Sequence, residues 1–330
     1  MANLPPQMQV LALARSYVEP RALYVIAELG AADVLGDTPM SAEALAEAVN
    51  ANADALNRLL RVLVSRGIFE ARGNGYAHND ASRTLRADHP RSTRPFVMMI
   101  GSRINWQAME ELGHSARTGQ TAMEKVFGES QFPYLSKHPE QSAIFNAAMT
   151  AKAMADIPAL LEAYDFGPFA TVADIGGGRG HLLRAILDKV PSAQGILFDL
   201  PHVVVEASSI ASNRLELQGG NFFADPLPRA DAYLLWNVLH DWPDADCIAI
   251  IAAIRQAAPL SAKLLILETI LPAGPEPSPV KDLDIVMLAM NGGRERTHDE
   301  YAAILTRAAL HLDRVLTTAT GLNILEASPA

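Results

Sequence analysis

Thr171-Val172-Ala173-Asp174-Ile175 is a β-type apolar run that stops on Gly176-Gly177-Gly178-Arg179-Gly180 and passes directly into HLLRAILDKV, which has the apolar spacing of a helix. Strand, glycine turn and helix in that order make the first unit of a parallel sheet, because the helix must carry the chain back to the edge where the next strand starts. The texture of the following sequence agrees: GILFDL, AYLLWNVL and KLLILETIL are short apolar runs separated by helical stretches. This alternation predicts an α/β fold, a Rossmann-like, doubly wound and mostly parallel sheet with helices on both faces.

Ahead of Thr171 the chain reads differently. Residues 1 to about 165 are rich in Ala, Leu, Glu and Arg with apolar residues three and four apart, so this half is expected to be helical. The change falls near Phe166-Gly167-Pro168-Phe169, giving expected segments 1–100, 101–166 and 167–330. Within the first, the order of residues 40–79 predicts a winged helix. Ser41 opens one helix, Asp54 caps the next, Gly67 ends it, and Gly73-Asn74-Gly75 turns a two-stranded wing. The apolar residues between Gln7 and Leu35 fall on two helices expected to break near Pro20, and they need a partner surface, either the wing module or a second copy of the chain.

Charge restricts what these parts can bind. The 330 residues carry 27 Lys and Arg against 37 Asp and Glu, a formal charge of -10, which argues against a nucleic-acid or anionic-membrane partner. The winged segment 37–80 has four bases and six acids, so it lacks the footprint of a DNA reader. A ligand-sensing regulator built on that module stays as the reading from another class. The single cysteine, Cys247, excludes an intrachain disulfide and a thiolate metal cage and is expected to be buried; no metal site is anticipated. MANLPPQMQVLALARSY has no secretory pattern, and no apolar run reaches the roughly 18 residues of a membrane span, so a cytoplasmic protein is expected.

The glycine turn narrows the ligand. Its spacing is G-x-G-x-G at Gly176, Gly178 and Gly180, and His181 stands where a dinucleotide fingerprint requires a small residue. Asp174 at the strand end would repel a pyrophosphate but suits a cationic or amine-bearing cofactor. Asp199, ending LFDLP, stands where an acid accepts hydrogen bonds from ribose hydroxyls.

DIGGGRG together with LFDLP resembles the first two motifs of S-adenosylmethionine-dependent methyltransferases. GGNFFADPLPRADAYLLWNVLHDWPDADC, LLILETILP and MLAMNGGRERT are similar to one group among them, the small-molecule O-methyltransferases of plant caffeate and flavonoid, hydroxyindole and bacterial polyketide-tailoring type. The resemblance implies S-adenosyl-L-methionine held by Asp174, Gly176, Gly178, Gly180, Asp199, Leu200, Asn221, Phe222, Phe223 and Trp236. It also implies an aromatic or polyketide-like acceptor and a homodimer made by the helical, winged-helix-like front domain. Two positions depart from the family: Asn221 replaces a usual Asp, and Trp236 a frequent Lys.

The fourth apolar run ends at His240 and the fifth at Glu268, on the same sheet edge as the glycine turn. An imidazole, with an ordinary value of about 6.5, is neutral at working pH and can take the proton of an attacking hydroxyl. A neighbouring carboxylate would orient it, and Glu268 and Glu295 are the candidates. The resemblance makes His240 the general base with Glu268 and Glu295 flanking it. It puts Phe145, Met149, Met287 and Asn291 on the acceptor side, with Asp241 beside them supporting its loop. Trp106 and Phe132 are weaker candidates for covering that side, and the other histidines, His78 among them, are expected to be solvated or capping. The same scaffold could serve a non-methylating reaction with the cofactor bound.

Overall fold

A computed structural model describes residues 4–330, which form two compact units. The first takes residues up to Gln107 together with Leu135–Lys152; the second takes Ala108–Tyr134 and Ala153–Ala330. The segment 101–166 is thus shared between them.

In the first unit, helices Val18–Glu28, Ala42–Ala48 and Ala53–Val64 bury Ile26, Leu45, Leu56, Leu60 and Leu63 against Leu35, Phe69 and Tyr76. Ser41 caps its helix as expected, its hydroxyl accepting from the Ala44 N–H (3.2 Å). The cap of Ala53–Val64 is Asn52 rather than Asp54: the Asn52 amide oxygen accepts from Ala55 N (3.0 Å), and Asp54, inside the first turn, pairs with Arg58 instead. The break in the leading helices falls at residues 15–17. Pro20 sits in the first turn of Val18–Glu28, where a missing N–H costs no helical bond. Strands β1 (Glu70–Arg72) and β2 (Gly75–Ala77) form the wing, closed between Arg72 and Gly75 by Gly73 and Asn74. A Cβ on Gly75 would lie 2.5 Å from the Met40 carbonyl oxygen, so the wing can pack there only with glycine. His78 is buried, contrary to expectation. Its ring nitrogens meet Ser82 Oγ (3.0 Å) and the carbonyls of Ala32 (3.0 Å) and Leu35 (2.8 Å), and burial lowers its proton affinity.

The second unit is built on a seven-stranded sheet: β3 (Thr171–Ile175), β4 (Gln194–Asp199), β5 (Leu215–Gly219), β6 (Ala232–Trp236), β7 (Lys263–Glu268), β8 (Leu310–Thr317) and β9 (Asn323–Pro329). Their order is β5-β4-β3-β6-β7-β9-β8. The first five are parallel, while β9 runs antiparallel to both β7 and β8. Because the central strands are covered on both faces, they read as continuous apolar runs rather than alternating ones. One face packs Ala173, Tyr233 and Leu235 against Ile250, Ile254, Tyr301 and Leu305; the other packs Val172, Leu197 and Leu234 against Leu183, Ile186 and Leu160. Winding goes outward from β3 to β5 and then resumes at β6 on the opposite side of β3. That reversal opens a crevice beyond the carboxyl ends of β3 and β6, where ligands of open α/β sheets bind. Among the described residues no helix is long and apolar enough to cross a membrane.

Candidate active site

Two groups of side chains meet that carboxyl edge. The first surrounds the turn after β3. Gly176, Gly178 and Gly180 all have left-handed backbone (φ 70°, 58° and 68°), which glycine adopts without strain. Gly177 is fixed by space instead, since a Cβ there would strike the Asp174 carboxyl and lie 2.5 Å from Leu197 Cδ1. Asp199, closing β4, ties the turn to its own strand: Oδ2 accepts from Gly178 N (2.8 Å) and Oδ1 from Leu200 N (2.6 Å). Asp174 is fully buried, with Oδ1 lacking a hydrogen-bond partner. Burial, reinforced by the Asp199 charge, raises its carboxyl to about 7.

These features fit a sulfonium cofactor. The orphaned Asp174 oxygen and the Asp199 carboxylate offer acceptors and negative charge, while Arg179, the cation of the turn, is engaged by Glu206 (3.1 Å). A Cβ on Gly178 would meet nothing within 4 Å, so its backbone is open to a ligand. The remaining expected cofactor residues line the same edge of the unit. Leu200 is exposed after Asp199, and Trp236 is the last residue of β6. Phe222 and Phe223 form edge-to-face contacts with Trp242 (centroids 5.8 and 4.9 Å). Asn221 Oδ1 accepts from Phe223 N (2.9 Å), so its side chain shapes the turn that presents the two phenylalanines.

The second group follows β6. The chain leaves that strand through Asn237, whose positive φ (50°) asparagine tolerates, and enters the short turn Leu239–Asp241 carrying His240. The His240 Nδ1–H donates to Glu295 Oε1 (2.8 Å); Glu268 Oε2 stands 3.7 Å from Nδ1, and Asp241 Oδ1 3.7 Å from Nε2. Glu268 also holds the backbone, its Oε1 accepting from Leu239 N (3.0 Å) and His240 N (3.3 Å). Both glutamates are fully buried. Burial disfavours the imidazolium, but the carboxylates of Glu268, Glu295 and Asp241 outweigh it and lift His240 to about 10. Burial pushes Glu268 up to about 7, although His240 opposes that shift. The imidazole expected to be neutral at working pH is therefore a stronger base that holds its proton.

Residues 291–297 cradle this turn. Asn291 Nδ2 donates to Asp241 Oδ1 (2.5 Å), and Arg294 N donates to the His240 carbonyl (2.9 Å). Gly293 lies so close to His240 O and the Asp241 backbone that no Cβ fits. Glu295 is steadied by Asp284, which accepts from its N–H (2.9 Å), and by Thr269, whose hydroxyl donates to Oε2 (2.6 Å). Arg296, 0% exposed, donates to the carbonyls of Leu239 (2.8 Å) and Trp242 (2.7 Å) and to Asp244 (2.8 Å). The buried Cys247 thiol reaches the same Leu239 carbonyl (3.2 Å). None of Thr269, Asp284 or Arg296 is singled out by the sequence reading; Thr269 and Arg296 are marked only by adjacency to Glu268 and Glu295, and Asp284, 11 residues before Glu295, by nothing local. Met287 is buried one turn before Asn291. Phe145, Met149 and Trp106 belong to the first unit, where Arg21 stacks 5.3 Å from the Trp106 ring centroid; Phe132 is exposed in the second.

A doubly wound sheet with an acid-flanked glycine turn beside a histidine backed by carboxylates fits a Rossmann-like methyltransferase. The profile of the O-methyltransferase domain matches residues 108–311, and that of the O-methyltransferase dimerisation domain residues 11–88. The phenazine O-methyltransferase PhzM of Lysobacter antibioticus is 41% identical over 99% of this chain and 97% of its own. The mitomycin biosynthesis 6-O-methyltransferase of Streptomyces lavendulae is 34% identical over 91% of this chain and 88% of its own. Among solved structures, CalO1, a methyltransferase of calicheamicin biosynthesis with SAH bound, superposes with a TM-score of 0.89 at 31% identity, covering 99% of this chain and 100% of its own. The chain belongs to the O-methyltransferase family, whose members use S-adenosylmethionine.

Proposed function

We propose that the protein methylates a hydroxyl of an aromatic or polyketide-like small molecule, with His240 as general base. S-adenosylmethionine, when bound, supplies an electrophilic methyl on a positively charged sulfur that leaves as a neutral thioether. It therefore needs no acid from the protein. The residues that would hold it are Asp174, Gly176, Gly178, Gly180, Asp199 and Leu200 on one side, and Asn221, Phe222, Phe223 and Trp236 on the other.

The observation that carries the reading is the His240–Glu295 hydrogen bond, which keeps Nδ1–H pointing inward, so that Nε2 becomes the proton acceptor once the imidazolium has given up its proton. The flanking carboxylates raise the basicity of His240 above that of an ordinary imidazole and toward that of a phenolate, so the deprotonated ring is a better acceptor for a phenolic proton. Glu268 and Glu295 stabilise the imidazolium that forms, and Glu268 also fixes the backbone on which the ring is mounted. Asp241, 3.7 Å from Nε2, and Asn291, which donates to it, are the polar contacts for the acceptor, with Met287 as an apolar one. A cytoplasmic homodimer assembled through the front domain completes the proposal.

His240→Gln tests it. With labelled S-adenosylmethionine and a panel of phenols, turnover is expected to fall by about two to four orders of magnitude while calorimetry finds cofactor affinity unchanged. Undiminished turnover would remove His240 from the role.

A further inference from the structure

We propose that Thr269 is a positioning residue of the base assembly, its hydroxyl locking the Glu295 carboxylate in the orientation that presents one oxygen to His240. The inference rests on the reading of His240 as the base and extends it to a residue outside the histidine–glutamate constellation.

The geometry is a linear chain. Thr269 Oγ1 donates to Glu295 Oε2 at 2.6 Å, and Glu295 Oε1 accepts from His240 Nδ1–H at 2.8 Å. A carboxylate rotates about its last bond with little resistance, so one hydrogen bond fixes a distance but not a plane. Two bonds on different oxygens fix both. Glu295 is fully buried, so an oxygen that loses its donor is cut off from bulk solvent. The Asp284 carboxylate restrains the Glu295 backbone through its N–H but cannot orient the side chain. Thr269 is well suited because it follows Glu268 directly at the end of β7: one strand end anchors the backbone of His240 through Glu268 and the side chain of Glu295 through Thr269. A β-branched residue also suits the task, since its restricted χ1 keeps the hydroxyl in place.

The charged and titratable groups around this chain are Asp241, Glu268 and Glu295 at the histidine, Asp284 at the Glu295 backbone, and Tyr301, Cys247 and Arg296 behind the glutamates. The carboxylates hold a proton on His240, and the histidine must shed it before it can accept one from the substrate. Turnover therefore has an acidic limb set by this cluster. If Thr269 no longer tethers Glu295, the carboxylate swings from Nδ1, the histidine loses part of its charge partner, and the limb moves to lower pH.

The experiment compares Thr269→Val with Thr269→Ser, using a phenol that the parent enzyme turns over. Thr269→Val keeps shape and removes the donor. It is expected to lower kcat by about ten-fold or more, to shift the acidic limb of the kcat profile downward, and to leave the acceptor KM and cofactor affinity within about two-fold. Thr269→Ser restores the hydroxyl and should recover both kcat and the profile. A valine variant with parental kcat and pH profile overturns the proposal. So does a serine variant as impaired as valine, because the methyl group would then be what matters. Placed in a Glu295→Gln background, Thr269→Val should add no further loss; an additive loss also overturns it. Failure of the underlying reading is separable, because it appears as full turnover in His240→Gln whatever stands at position 269.

Discussion

Asp174 shows how a single residue can oppose the stability of the empty protein while preparing it for a ligand. Its carboxyl is raised from an ordinary 3.8 to about 7, first by complete burial and then by the Asp199 charge. The folded state consequently binds the proton more tightly than the unfolded chain. The resulting stabilisation is complete below about 3.8 and is lost as the pH rises through about 7. Asp174→Asn keeps the shape and cannot ionise, so in the cofactor-free protein it is expected to raise the melting temperature at pH 8. The gap to the parent should close as the pH is taken down toward 4, measured by calorimetry across that range. A constant gap would mean that charge burial is not what the substitution relieves. A cationic ligand supplies the missing counter-charge, so at pH 8 the parent should gain more stability from saturating S-adenosylmethionine than the variant does.

At the scale of elements, the glycine turn could be read from sequence and the segment 291–297 only in part. The turn after β3 is a local device: three left-handed glycines, two acids and a helix start lie within 26 residues, so composition and spacing carry its chemistry. Glu295 and Arg296 sit in a charged run that looks like a solvated surface, yet both are fully buried because their partners stand 55 or so residues earlier in the chain. The acids at 268 and 295 were legible through family resemblance, whereas Thr269 and Arg296 act through contacts that no local pattern encodes. β8 is hard to read for a related reason: LHLDRVLT mixes polar and apolar residues without clean alternation, as an edge strand with a register shift between Leu312 and Arg314 does. For the 291–297 element the expectation concerns stability. The guanidinium of Arg296 spans both carbonyls that flank the His240 turn, which a lysine ammonium, a point charge, cannot match. Arg296→Met leaves those two carbonyls short of a donor, while Asp244, 44% exposed, can turn to water, so urea unfolding should show a loss of about 2–4 kcal/mol. A variant within about 1 kcal/mol of the parent would show that the turn stands without the clamp.

For the whole molecule, the charge of -10 and the apolar front helix bear on assembly in opposite directions. Like charge on two copies resists association, but it is spread over the surface and is screened within about 10 Å at 0.1 M salt. Helix Pro6–Ala14 buries none of its residues in the single chain, and Val10 and Leu13 are 68% and 64% exposed, with Leu4, Met8, Leu11 and Tyr17 also facing outward. A helix that exposes apolar side chains all round is one that contact with a second copy can cover. The matched dimerisation domain starts within this helix, at residue 11. Replacing two large exposed aliphatics with acids adds repulsion where the contact would form and touches nothing in either core. Val10→Glu with Leu13→Glu is therefore expected to sediment as a monomer at concentrations where the parent is a dimer, with the melting transition of the second unit retained. Sedimentation of the double variant identical to the parent would place the dimer contact elsewhere, and a monomeric parent would leave the exposed helix with no role in self-association.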